Sequence, residues 1–163
     1  MPMMISPNDE DAACGRLADH LEMNKKLVMT EWLKQARADS VVLSDPLNRL
    51  ELMDHVPMIF DAIVKVIRDR CGETTGDVQD ITARHTIIRW VQRYDLRAVL
   101  REVALLRAVL IRQLLVFDGQ TGGLGSDWSL SNAMTIHRIL DDIVMDATDT
   151  FLRLKNRGDG DDI

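Results

Sequence analysis

Four histidines, two cysteines and a run of arginines are the residues of this 163-residue chain whose types could carry chemistry. A histidine can serve as metal ligand, haem ligand or proton carrier. No two of His20, His55, His85 and His137 fall at i, i+4, and none joins Cys14 or Cys71 at ligand spacing, so there is no zinc signature. Two cysteines so far apart make neither a disulfide framework nor a metal site, and they read as reduced thiols. Asp54-His55-Val56-Pro57 lacks the acidic residue and the arginine that follow the histidine of a phosphoacceptor box. Gly122-Gly123-Leu124-Gly125 lacks the lysine and the preceding strand of a phosphate-binding loop, and no G-x-S-x-G elbow exists. No nucleophile, base or metal constellation survives, so no enzyme is expected. His85, followed by Ile87, Ile88 and Trp90, is the best haem ligand in the chain. The plainer reading makes it a histidine bonded to a neighbouring helix, and no cofactor is expected.

The arginines form a pattern. Arg89, Arg93, Arg97 and Arg101 recur every fourth residue, and Arg107 and Arg112 follow, opposed between residues 84 and 112 only by Asp95 and Glu102. No aromatic residues interleave with them as a base-stacking platform requires, so nucleic acid is not the expected partner. Asp141, Asp142, Asp146 and Asp149 lie in the last helical segment and read as their complement, within one chain or across a dimer.

These residues need helices to position them. Leu17, Leu21, Leu27 or Val28, Trp32 and Leu33 give helical spacing from Asp11 to about Ala38. Ser44-Asp45-Pro46 signals a helix start, and Pro57 interrupts that helix, with a restart through Ile59, Phe60, Ile63 and Ile67 to Arg70. After the loop Cys71–Asp77, helix resumes near Val78 and reaches Arg93. Asp95 is placed to cap the next helix, to about Phe117. That helix carries two apolar stripes. One is Leu96, Val99, Val103, Leu106, Leu110, Leu114 and Phe117; the other is Leu100, Ala104, Ile111 and Leu115. Apolar on both sides, it reads as a sandwiched central helix. A glycine-rich break at 118–127 precedes a last helix over about Trp128–Lys155. Its stripe of Ala133, Ile136, Leu140, Ile143 and Ala147 reads either as a core face or as a dimer seam that relays a signal. No β signal exists. The expectation is an all-α, globin-like bundle of five or six helices: a flexible tail over 1–10, one domain over 11–156, a polar tail over 157–163.

Composition agrees. Apolar residues at 46% and charged residues at 28% are ordinary for a globular domain. The net charge of −6 argues against nucleic acid and against anionic lipid. Neither a signal peptide nor a membrane span is expected, so the location expected is cytoplasmic.

The run His85-x3-Arg89-x4-Tyr94-x-Leu96-x5-Glu102-x3-Leu106-Arg107 resembles the centre of the RsbR-like N-terminal sensor domains, which precede stressosome proteins and many bacterial sensor histidine kinases. Leu52-x-Asp54-His55-Val56-Pro57-x2-Phe60-Asp61 and Leu17-Ala18-x2-Leu21…Trp32 are similar to two further helices of that family, so the likeness covers roughly residues 15–155. Arg93 stands where the family has glycine, and Val103 where it has an aromatic residue. No kinase, PAS or STAS domain follows in this chain, which fits an excised module or a stand-alone regulator. The resemblance implies a non-haem, globin-like homodimer without catalytic activity. It would act as a stress-response input domain, docking a protein partner or a fused output domain and binding a small molecule. It marks His55, His85, Arg89, Tyr94, Glu102 and Arg107 as regulatory positions, with Glu102 paired to Arg89, Arg107 or His85. The alternatives are a haem or tetrapyrrole gas sensor and a ligand-free scaffold.

Overall fold

The computed structural model describes residues 7–42, 56–69, 76–91, 95–122 and 126–158. Among them are six helices and no strand: α1 Pro7–Met23, α2 Lys25–Ala38, α3 Val56–Asp69, α4 Gly76–Val91, α5 Leu96–Gln120 and α6 Ser126–Gly158. The fold is all-α, as expected, and its packing is consistent with a globin-like bundle. The proposed helix start at Ser44-Asp45-Pro46 lies outside the described residues.

Local chemistry explains where the helices begin and end. The Asp95 side chain accepts from the Arg97 amide at 3.2 Å and caps α5. At the other end, Gly122 takes a φ of +79°, the left-handed conformation that stops a helix at no steric cost to glycine. The single helix expected over Asp11–Ala38 is instead two. The Asn24 side chain donates to the His20 carbonyl at 2.8 Å and competes for the backbone there. It separates α1, which packs on α3, from α2, which packs on α5. Helix α1 starts at Pro7, inside the stretch read as a tail, and α6 runs to Gly158, into the expected polar tail.

Among the described residues the most enclosed helix is α3. Eight of its fourteen residues are buried, among them Val56, Ile59, Phe60, Ile63, Val64 and Ile67. So many β-branched residues favour helix poorly, and burial on several sides decides the conformation. It packs against α1, α2, α4 and α6. Helix α5 is less enclosed than expected. Its first stripe is buried from Val99 to Phe117, but Ala104 and Val116 are exposed and Leu115 is 62% exposed. Apolar spacing identifies a face; it does not supply a neighbour to cover it, and α5 packs along α1, α2 and α6 on its other sides, meeting α4 at the Arg89–Glu102 pair. On α6, Ile136, Ile139, Leu140, Ile143 and Ala147 are buried in the core, with Ala133 packed against it. Within one chain the stripe is thus a core face.

This assignment makes a direct prediction. Leu110→Ala opens a cavity and costs about 2–5 kcal/mol of unfolding free energy, whereas Leu115→Ala changes it by no more than about 0.5 kcal/mol. Urea denaturation at one protein concentration measures both.

Candidate functional site

Between α4 and α5 the bundle encloses two opposite charges. The Arg89 side chain is 0% exposed and that of Glu102 is 2% exposed. Arg89 Nε donates to Glu102 Oε2 at 3.3 Å, and Arg89 Nη2 lies 3.3 Å from Oε1, so the guanidinium meets the carboxylate edge on. The same residue holds a third helix through its backbone. The fully buried Trp32 of α2 donates its indole N–H to the Glu102 carbonyl at 3.1 Å. Glu102 therefore joins α2, α4 and α5 at one point. Of the three partners open to it, the structure shows Arg89.

Three other arginines of the basic segment point elsewhere. Arg107 bonds Asp141 of α6, which is the helix-to-helix pairing expected. Arg101 donates to Asp39 at 2.7 Å and Arg112 lies 3.6 Å from Glu31, so both reach α2 rather than α6. The complement to the basic segment is therefore divided between two helices, since α5 lies between them. Asp39 also accepts from the amides of Val41 and Val42, at 2.9 and 3.3 Å, and so closes the end of α2. The Arg101 hydrogen bond and those amides hold its carboxyl below the usual aspartate range. Asp146 is opposite in sense: burial first, then Asp142 and Asp149, raise its pKa against the lowering effect of Arg153.

The remaining candidates are placed as follows. His85 stands on α4, with its side chain outside the described set, and His55 and Tyr94 lie outside the described residues. Among the described residues no group of three or more His, Cys, Asp or Glu could hold a metal. Nor, among the described residues, is any helix long and apolar enough to cross a membrane. Sequence reasoning missed Trp32 as part of the site. Its only signal was an indole at a core position, since a buried tryptophan N–H usually finds an acceptor.

Glu102→Ala leaves the Arg89 cation buried without its carboxylate and costs about 3–5 kcal/mol; Arg89→Met with Glu102→Leu costs less than either single change. Thermal and urea unfolding of the four proteins gives the cycle. The two aspartates predict opposite pH responses. Asp39 contributes stability that is present above the ordinary aspartate value of 3.8 and is lost as pH falls through its lower folded value. Asp146 is costly when ionised, so its share of stability improves as pH falls through its raised folded value towards 3.8. Asp146→Asn therefore raises the Tm at pH 7 and flattens the profile above pH 4, while Asp39→Asn lowers the Tm at pH 7; melts from about pH 3 to 8 separate the two.

The comparisons with known proteins bear on this arrangement. Neither the curated proteins nor the solved structures give a match. A family model described as the RsbT co-antagonist protein rsbRD N-terminal domain matches residues 27–162. The span takes in nearly all of α2 and every later helix, with Arg89, Glu102 and Trp32 inside it. Leu17, Ala18 and Leu21 of α1 lie outside it. With an all-α bundle, and with the motif residues Arg89 and Glu102 joined at its centre, this chain belongs to the family of rsbRD-type N-terminal domains of RsbT co-antagonist proteins.

Proposed function

We propose that the chain is a non-catalytic signal-input domain of a bacterial stress-response system. It works in the cytoplasm as a homodimer. A small molecule or a protein partner biases its packing, and α6 carries the change to a partner or to a fused output domain. The observation that carries this reading is the family match across residues 27–162. The geometry supplies a means. Glu102 couples α2, α4 and α5, and Arg107–Asp141 couples α5 to α6. Helix α4 also packs directly on α6, so a change at the Arg89–Glu102 pair has a route to α6 through α4 itself and a second through α5. The buried pair suits this use, because such pairs stabilise little but penalise every arrangement that separates them.

A native mass spectrum of the purified protein tests the reading. A dimer with extra mass on each chain identifies a ligand sensor, and the excess begins to identify the ligand. A clean dimer supports an input domain whose signal is a protein partner. A monomer at high concentration overturns the dimeric reading.

A further inference from the structure

We propose that α1 closes a binding site for a small neutral carbonyl compound at the corner between α5 and α6, with the ring N–H groups of His20 and Trp128 as its two donors. The inference rests on the small-molecule arm of the reading above and adds the place, the donors and the chemical class.

Three helices meet at this corner. His20 of α1 and Trp128 of α6 both lie against the ring of Phe117 near the end of α5, with ring centroids 5.3 and 5.8 Å from it. The Cys14 thiol of α1 donates to Asn132 of α6 at 3.8 Å, so α1 covers the first turns of α6. Phe117 and Trp128 are each 5% exposed. Yet Trp128 Nε1 and His20 Nε2 are buried atoms with no hydrogen-bond partner in the protein. An indole N–H is only a donor. The histidine nitrogen is a donor too. The Asn24 amide nitrogen donates to the His20 carbonyl at 2.8 Å, which fixes the way that amide points, and the same nitrogen lies 3.4 Å from His20 Nδ1. Nδ1 therefore accepts, and the ring proton sits on Nε2.

The carbonyls of all three ring residues are already in use. That of Phe117 takes the amide and the hydroxyl of Thr121, each at 3.0 Å, that of Trp128 takes the Asn132 side chain at 3.0 Å, and that of His20 takes Asn24. Two donors withdrawn from water without an acceptor are costly, and an acceptor brought from outside removes that cost. A carbonyl oxygen has two lone pairs and suits two such donors. An anion suits the corner less well. Asp118 and Asp127 adjoin Phe117 and Trp128 in the chain, and α1 adds Asp19 and Glu22, to which Arg68 is already committed. His20 lies outside the span matched by the family model and Trp128 inside it, so the site depends on a helix that the match does not include. Binding there fastens α1 to the beginning of α6.

Indole N–H resonances of the isotope-labelled full chain test this, with acetone, cyclohexanone and N-methylacetamide as probes and acetate as the anionic control. The Trp128 signal is identified by its loss in Trp128→Phe. It is expected to move downfield and saturate with at least one neutral probe, while the Trp32 signal, already bonded to the Glu102 carbonyl, stays in place. His20→Phe keeps a ring against Phe117 without the donor and is expected to weaken binding about tenfold; His20→Gln keeps an N–H and is expected to recover part of the loss. Circular dichroism checks the fold of each variant, and the titration of the unaltered chain needs none of them. A Trp128 signal that no probe moves overturns the site and leaves a structural water as its partner. Saturation by acetate alone overturns the neutral class, and equal affinity in His20→Phe overturns the two-donor arrangement. None of these outcomes changes the native mass of the protein, so failure of this site leaves the sensor reading standing. A monomer whose Trp128 signal still responds overturns the dimeric reading and supports the site.

Discussion

A carboxylate and a guanidinium that are both withdrawn from water have few acceptable positions. Each ion costs several kcal/mol to desolvate, and their attraction offsets that only when the geometry is close. Arg89 and Glu102 meet this demand with paired contacts from α4 to α5. A shift of α4 by one residue along its own axis is about 1.5 Å, enough to spoil both contacts. Apolar packing alone would tolerate such a slip better, because one methyl group can replace another. The ion pair thus fixes where α4 stands relative to the first turns of α5, and Trp32 ties α2 to the same residue.

Around that point the bundle divides its work. Helix α3 supplies the most enclosed apolar surface, and α6 closes the core along its length. Helix α1 is attached differently. Leu17, Ala18 and Leu21 are buried, while at its edge Arg68 of α3 bonds both Asp19 and Glu22 at 2.7 Å. Those pairs are exposed to solvent and contribute little, so apolar burial holds α1 in place. It also lies outside the span matched by the family model. The unit defined by the match therefore presents an apolar surface on α3 that this chain covers with an N-terminal helix.

Much of this is legible in the sequence where the cause is local. The cap at Asp95, the break after Gln120 and the core stripes of α2, α3 and α6 all follow from residue type and spacing. The break at Asn24 does not, because it depends on one side chain bonding the His20 carbonyl rather than on a breaker residue. Nor does the exposure of Leu115, since periodicity cannot say whether a neighbour exists. The arginines divide by the same rule. That they need acidic partners is evident from charge, but Arg101 finds Asp39 sixty-two positions away, and only the packing of α2 on α5 decides it. For Glu102, spacing leaves three partners open, and only the packing of the helices brings Arg89 to it.

The length of α6 has a mechanical consequence. Its thirty-three residues make a rod of about 50 Å. Phe151 is the last buried side chain along it, and from Leu152 to Arg157 the helix is largely in water. The core grips one long portion and leaves the end as a lever. A tilt of about 5° at the N-terminal end of such a rod displaces the far end by about 4 Å, more than the diameter of a water molecule. Small repacking inside the bundle is thus enlarged at the C-terminus without any bending of the helix.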